Sequence, residues 1–160
     1  MSNNIHTSKK ATCKSSLAKV TFVTATADDV DFLLELRKLT MTEHLLAAGF
    51  STSDEYHLAR IHEHYNDSLI IFIDEQKAGL VKLSKMAASL HIRQLQILPR
   101  FQNKGIGSLV LKSVIKKGQS LNLPITLNVL LENPAKGLYQ RHGFKITGKS
   151  NIEFQMKFQY

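Results

Sequence analysis

Residues 97–111 read Ile-Leu-Pro-Arg-Phe-Gln-Asn-Lys-Gly-Ile-Gly-Ser-Leu-Val-Leu. The first two of them end a run, 89–98, in which aliphatic residues are interspersed with polar ones as is typical of a strand, and Pro99 stops it. After Gly105 the period changes, because apolar residues then recur at helical spacing. The stretch therefore predicts a strand, a glycine-containing turn and an amphipathic helix in immediate succession.

The turn between these two elements has the features of a phosphate-binding loop. A helix N-terminus presents unpaired N–H groups and the positive end of the helix dipole. Gly105 and Gly107 carry no side chain that would block an approaching anion, and Lys104 adds a cation. A lone Gly-x-Gly also fits a plain connecting turn, and this one lacks both the third glycine of a dinucleotide loop and the Gly-Lys-Ser/Thr of a P-loop.

The rest of the chain alternates between strand-like and helix-like patterns. Ser53, ahead of two acidic residues, predicts one helix start, and Thr26 or Asp28 predicts another, with an irregular stretch over 39–50 between the two helices. We predict an α/β (α+β) fold, with six to seven strands in one mixed, mostly antiparallel sheet and about four flanking helices. The predicted strands are 20–24, 69–73, 78–83, 89–98, 125–130, 144–147 and 152–158, and the later helices are 105–118 and 135–142.

Length and composition indicate one domain in a reducing compartment. The chain has 160 residues, which suits a single domain over 20–160 preceded by a flexible, polar tail over 1–19. The single cysteine, Cys13, cannot form an internal disulfide. No apolar run is long enough for a bilayer or a signal peptide, so we expect a cytoplasmic protein without a membrane partner.

The formal net charge of +8 raises the question of a polyanionic partner. The lysines are scattered, however, between the tail and the predicted helix that follows Gly105, and no dense arginine run or RNA-binding motif occurs. This pattern favours a solvated basic surface over a nucleic-acid site, and a phosphorylated cofactor would itself suit such a surface.

Two segments resemble the GNAT superfamily of N-acetyltransferases. The acetyl-CoA-binding motif of that family has the core [Gln/Arg]-x-x-Gly-x-[Gly/Ala], which Gln102, Gly105 and Gly107 match. The segment from Asn133 to Phe144 is similar to the family signature Asn-x-x-Ala-x-x-Leu-Tyr-x-x-x-Gly-Phe, although its asparagine and leucine stand one residue closer together. The element order over nearly the whole chain beyond the tail also resembles the family.

The resemblance implies a GNAT-type acyl-CoA N-acyltransferase fold and an enzyme that uses acetyl-CoA as co-substrate, without a metal. In this family the strand that ends at Leu98 splays from its neighbour, and the pantetheine arm enters the gap. Backbone amides at the helix start then hold the pyrophosphate. The residues that the resemblance assigns to the cofactor are Ile97, Leu98, Gln102, Asn103, Lys104, Gly105, Ile106, Gly107, Ser108, Asn133 and Lys136.

Catalytic roles are also implied by position. Tyr139 matches the tyrosine that protonates the departing CoA thiolate, with a packed aromatic as the alternative. His91 stands where some family members carry a glutamate base, and an imidazole suits the removal of a proton from an ammonium. Glu43 and His44 are alternative bases. The histidines of the second helix lack metal-ligand spacing.

The predicted reaction is direct attack of a primary amine on acetyl-CoA in a ternary complex. The alternatives are a non-catalytic or regulatory acyl-CoA-binding domain with the same fold and a basic nucleic-acid-binding module. The acceptor, a small molecule or a peptide, stays open: Glu43, Asp54 and Glu55 would suit a cationic amine, whereas Arg60 and His57 would suit one that carries a carboxylate. The last strand could pair with a second copy in a homodimer.

Overall fold

A computed structural model describes residues 18–160 of the chain. Its centre is a seven-stranded sheet in the order β1-β2-β3-β4-β5-β7-β6. Most of the predicted tail, and Cys13 with it, lies outside the described residues. The predicted mixed, mostly antiparallel sheet with four helices is confirmed, since only β4 and β5 run parallel.

The strand boundaries follow the predicted runs closely. The sheet consists of β1 (Val20–Thr24), β2 (Ser68–Ile73), β3 (Gln76–Lys85), β4 (Leu90–Ile97), β5 (Ile125–Leu130), β6 (Lys145–Lys149) and β7 (Glu153–Phe158). The first four strands form an antiparallel meander, and β7 lies between β5 and β6. Only the parallel β4–β5 pair therefore joins the two halves of the sheet.

The four helices are α1 (Val30–Ala47), α2 (Asp54–His62), α3 (Ile106–Ser120) and α4 (Ala135–Arg141). Thr26 and Asp29 form a capping box at the short turn before α1. The Thr26 hydroxyl accepts the N–H of Asp28, and the Asp29 carboxylate accepts the N–H of Thr26. Ser53 caps α2 by accepting the N–H of Tyr56 at 3.2 Å. Both predicted helix starts are thus confirmed.

The predicted irregular stretch over 39–50 is wrong for most of its length, because α1 continues without a break to Ala47. Two threonines within it, Thr40 and Thr42, bond their hydroxyls back to carbonyls of the preceding turn. The helix ends where Gly49, with φ +77°, takes up a left-handed conformation. A long α1 matters for function because its second half reaches over β4.

Apolar side chains pack on both faces of the sheet. The larger core lies under α3 and α4 and includes Ile92, Val110 and Leu127, all at most 2% exposed. The smaller core lies under α1 and α2 and includes Leu33, Leu36 and Ile61. Over residues 18–160, no helix combines the length and the apolar character that a membrane span requires.

Candidate active site

The site begins at a gap between the two parallel strands. β4 pairs with β5 only from Leu90 to Ile92, opposite Ile125 to Leu127, although both strands continue beyond these residues. At the point of divergence β4 contains a bulge at Arg93. Lys82 and Leu83 are consecutive in β3, but they face Gln94 and Ile92, so Arg93 between these two has no partner on β3. A bulge bends its strand and increases the local twist, so it turns the second half of β4 away from β5.

Beyond the bulge, β4 presents unpaired backbone groups to the gap. The N–H of Leu98 donates to the carbonyl of Ala78 at 2.8 Å, on the β3 side. Because successive residues of a strand direct their polar groups to opposite sides, those of Leu95 and Ile97 face the gap. The carbonyl of Ile97 there accepts a hydrogen bond of 2.9 Å from Gln102 Nε2.

A cavity of about 390 Å³ extends from this gap to the start of α3. Gly105 precedes the helix with φ +77°, and no side chain caps the first turn, so the N–H groups of that turn have no side-chain acceptor. A Cβ on Gly107 would lie 3.0 Å from Leu138 Cδ2 on α4, which shows how closely the two helices approach. Ser108 Oγ also contacts His142 Nε2, at 2.9 Å.

A second cavity, of about 450 Å³, lies on the other side of the gap, against α1 and α2. Its apolar walls are formed largely by α1, the α1–α2 connection and the ends of β5 and β7. Four cationic side chains line it, and only two carboxylates do. The cations are Arg37, Arg60, Lys82 and Arg93, and the carboxylates are Glu63 and Glu153.

The two cavities meet at the mouth of the gap. The residues that line both of them are Met41, Leu95, Gln96, Asn133 and Tyr139. Asn133 Oδ1 accepts the N–H of Ala135 at 2.9 Å and so supports the start of α4. A ligand in one cavity and a ligand in the other can therefore contact each other only near these five side chains.

Tyr139 is buried at this junction, with its ring edge-on to Phe144 at 5.7 Å between centroids. Burial raises the pKa of Tyr139 to about 12. The phenol is therefore protonated throughout the neutral range and can act as a hydrogen-bond donor. Within residues 18–160 no protein group forms a hydrogen bond with this hydroxyl.

His91 lines the second cavity from the paired end of β4. Its Nδ1 lies 2.8 Å from Thr126 Oγ1, and the Thr126 hydroxyl in turn donates to Ser89 Oγ at 3.3 Å. The hydrogen bond with Thr126 engages Nδ1, so Nε2 is the ring nitrogen that is available to a ligand. Burial and the Arg93 cation lower the pKa of His91, so the ring is neutral at pH 7 and can accept a proton.

A family model described as an acetyltransferase (GNAT) domain matches residues 41–159. The chain belongs to the GNAT acetyltransferase family. The match includes the residues that line both cavities, apart from those of α1 that precede Met41. A search of curated protein sequences found no match.

Solved structures with the GNAT fold are similar to this chain over most of its length. PaiA N-acetyltransferase from Thermoplasma acidophilum, in complex with coenzyme A, has a TM-score of 0.71 at 20% identity, covering 89% of this chain and 99% of its own. Arabidopsis thaliana Naa50, in complex with the bisubstrate analogue CoA-Ac-MVNAL, has a TM-score of 0.64 at 18% identity, with coverages of 88% and 99%. An acetyltransferase from Thermus thermophilus has a TM-score of 0.71 at 17% identity, with coverages of 87% and 96%.

Most of the residues that the GNAT resemblance assigns to the cofactor lie together. The cavity at α3 is lined by Ile97, Gln102, Asn103, Gly105, Ile106, Gly107, Ser108 and Asn133. Three others do not line it. Leu98 packs into the core under α1, Lys104 is exposed, and Lys136 places its Nζ 4.6 Å from the centre of the Phe154 ring. Of the alternative bases, His44 lines the cavity at α3, whereas Glu43 is exposed and lines neither cavity.

Sequence reasoning missed Arg37 and Lys82 as residues of this GNAT site. Both occupy positions where the surrounding pattern predicts an apolar side chain: Arg37 follows Leu33 by one helical turn, and Lys82 interrupts an aliphatic strand. An ionisable residue in a core position was the available signal. Across residues 18–160, no group of three His, Cys, Asp or Glu side chains is arranged to hold a metal ion.

Proposed function

We propose that the protein is an N-acetyltransferase that moves an acetyl group from acetyl-CoA to a primary amine by direct attack in a ternary complex. The observation that supports this most strongly is the meeting of the two cavities at Gln96 and Tyr139. A donor in one cavity and an amine in the other would place the reacting atoms at one junction, which removes much of the entropic cost of bringing them together.

The cavity at α3 fits the phosphorylated, extended shape of the donor. The uncapped first turn of α3, with Gly105 and Gly107, suits a pyrophosphate. The backbone N–H and C=O groups of Leu95 and Ile97 suit the amide groups of a pantetheine arm, which would continue the sheet as an added strand. When bound, acetyl-CoA supplies an acetyl group activated as a thioester.

Three groups of the chain then act in sequence. His91 Nε2 takes a proton from the acceptor ammonium through water in the second cavity, which frees the nitrogen lone pair to form the new N–C bond. Backbone N–H groups of β4 donate to the acetyl oxygen as it gains negative charge. As the C–S bond breaks, the sulfur leaves with its electron pair and accepts the proton of the Tyr139 hydroxyl, and the nitrogen gives its second proton to the resulting phenolate, which restores the phenol.

Acetyl-CoA binding is the first test. Isothermal titration with the wild-type protein should give saturable binding. Gly107→Glu should weaken it at least about tenfold, because its side chain would press on Leu138 of α4 and place a carboxylate at the phosphate cradle. Ser113→Glu is the matched control, since it adds the same charge at an exposed site on the same helix. A wild-type protein that does not bind acetyl-CoA would remove the proposal.

The proton donor is tested by Tyr139→Phe. We expect the variant to bind acetyl-CoA as the wild type does and to lose about a hundredfold in kcat, measured as release of free CoA thiol. Phenylalanine preserves the edge-on packing against Phe144, so circular dichroism should show an unchanged fold. A kcat within about threefold of wild type would exclude the acid role. Binding without thiol release from any amine would favour the non-catalytic alternative.

The acceptor could be a small molecule or a peptide, as the Naa50 complex with a peptide-containing analogue illustrates for a relative. The cytoplasmic location stays a prediction, and so does a homodimer. The predicted pairing of a second copy with the last strand is wrong, because β7 lies between β5 and β6 and is hydrogen-bonded on both sides. The narrower question of acceptor charge can be argued from the second cavity.

A further inference from the structure

Arg37 is a buried cation without a counter-ion. Its side chain lies on the wall that α1 contributes to the second cavity, and the residue is 4% exposed. It makes no ion pair with any carboxylate in residues 18–160, and its Nε has no hydrogen-bond partner there. The Nε group has therefore lost its hydration without gaining a protein partner, which is costly unless a ligand compensates for it.

The neighbouring cations each have partners of their own. Arg60 forms an ion pair of 2.7 Å with Glu63, and Lys82 Nζ donates to three backbone carbonyls at the end of α2. Arg93 Nε donates to Ser84 Oγ at 2.6 Å. Among the four cations that line the cavity, Arg37 is thus the one that the described residues leave unmatched.

The carboxylates of the cavity are also engaged. Glu63 is the partner of Arg60, and Glu153 Oε1 accepts a hydrogen bond from Asn128 Nδ2 at 3.1 Å. The acidic residues that would have suited a cationic acceptor, Glu43, Asp54 and Glu55, do not line this cavity at all, and Asp54 pairs with Lys38 at 2.9 Å. The cavity therefore offers an excess of positive charge.

The position of Arg37 relative to the junction limits the size of a ligand. Met41, which lines both cavities, follows Arg37 by one turn of α1, or about 6 Å along the helix axis. At the junction the side-chain oxygen of Gln96 is buried and has no partner among the described residues, so it can accept an N–H from an incoming amine. A volume of about 450 Å³ suits a small molecule that spans these two points.

We propose that the acceptor is a small primary amine that also carries an anionic oxygen group, a carboxylate or a phosphate, which Arg37 binds while Gln96 orients the amine. The proposal rests on the acetyl-transfer function above and names its substrate class. A guanidinium presents a planar pair of N–H donors that matches either oxyanion, and its charge persists at any physiological pH. The anion would also relieve the repulsion between Arg37 and Arg60, which together with burial lowers the pKa of Arg37 to about 10.

Matched amines test the inference by binding alone. The probes are β-alanine against β-alaninamide, and phosphoethanolamine against ethanolamine, each titrated into the protein saturated with CoA. We expect at least one anionic probe to bind about tenfold or more tightly than the counterpart that lacks the anionic group. The two pairs distinguish a carboxylate ligand from a phosphate ligand. Equal or tighter binding of the amines without an anionic group, putrescine included, or no binding of either anionic probe, would overturn the proposal.

Two variants assign the effect to Arg37. Arg37→Gln should remove the preference for the anionic probe and leave binding of the amine that lacks an anionic group unchanged. Arg37→Lys keeps the charge without the planar fork and should retain part of the preference, and it gives the comparison if Arg37→Gln does not fold. The control is Lys38→Gln, an exposed cation on the same helix. A preference that survives in both Arg37 variants would contradict the assignment.

Turnover separates this inference from the proposed function. If anionic amines bind through Arg37 but no CoA thiol is released, the anion site stands and acetyl transfer to these amines fails. If thiol is released only with amines that lack an anionic group, acetyl transfer stands and the anion site fails.

Discussion

The proposed role of His91 as a base has a pH signature. Thr126 engages Nδ1, so Nε2 is the nitrogen that would take the ammonium proton. Protonation of the ring would abolish this function. Because burial and Arg93 lower the pKa of His91, kcat should fall only below pH 6.5, with the loss increasing as the pH decreases.

The change that tests this role is His91→Gln, which keeps a polar side chain but cannot carry a proton between pH 5 and 8. We expect kcat near neutral pH to decrease by about a hundredfold and its decline at acid pH to disappear, as measured by thiol release across the pH range with saturating substrates. Thr126→Val is the control: it retains the imidazole and loses only the orienting hydroxyl, so the acid decline should persist. An unchanged pH profile in His91→Gln would assign the base elsewhere.

At the scale of strands and helices, local patterns predicted most of the architecture. The helix starts at Thr26 and Ser53 and the turn before α3 depend on nearest neighbours, which the sequence states directly. The bulge at Arg93 is also visible in the sequence as a break in the alternation of apolar residues. Apolar residues alternate as Leu90 and Ile92, and then resume out of phase after two polar residues. Such a break in a period of two is what an inserted residue produces.

The charged wall of the second cavity could not be predicted in the same way. Arg37, Lys82 and Arg93 belong to α1, β3 and β4, and only the packing of these elements brings them together. The continuation of α1 beyond Leu39 could not be predicted from the pattern of apolar residues. In a long helix that packs against two surfaces, the apolar residues no longer form one continuous stripe. The family motif predicted the cofactor side well for the opposite reason, since most of it is one continuous segment around the start of α3.

At the scale of the whole molecule, the stability of the fold depends on a buried lysine, Lys82, whose surroundings disfavour its charged form. Lys82 is 1% exposed and fixes the C-terminal carbonyls of α2 to the sheet. Burial, followed by repulsion from Arg37 and Arg60, lowers its pKa from 10.5 to about 8. Between these values the unfolded chain binds more protons than the folded chain, so the free energy of unfolding must increase with pH there.

We therefore expect the wild-type protein to become more stable from about pH 8 to about pH 10, by an amount of order 2 kcal/mol. The increase in stability ends at about pH 10, because tyrosines of the unfolded chain begin to lose their protons there. Tyr139 in the folded chain keeps its proton up to about pH 12, so above about pH 10 the free energy of unfolding decreases with pH. Urea unfolding at intervals of pH measures the effect. Lys82→Met should lower stability at every pH, since three carbonyls lose their donor, and should also flatten the rise. Lys116→Met, at an exposed site, is the control and should retain the increase of stability with pH. If Lys82→Met also retained this increase, another group would be responsible for it.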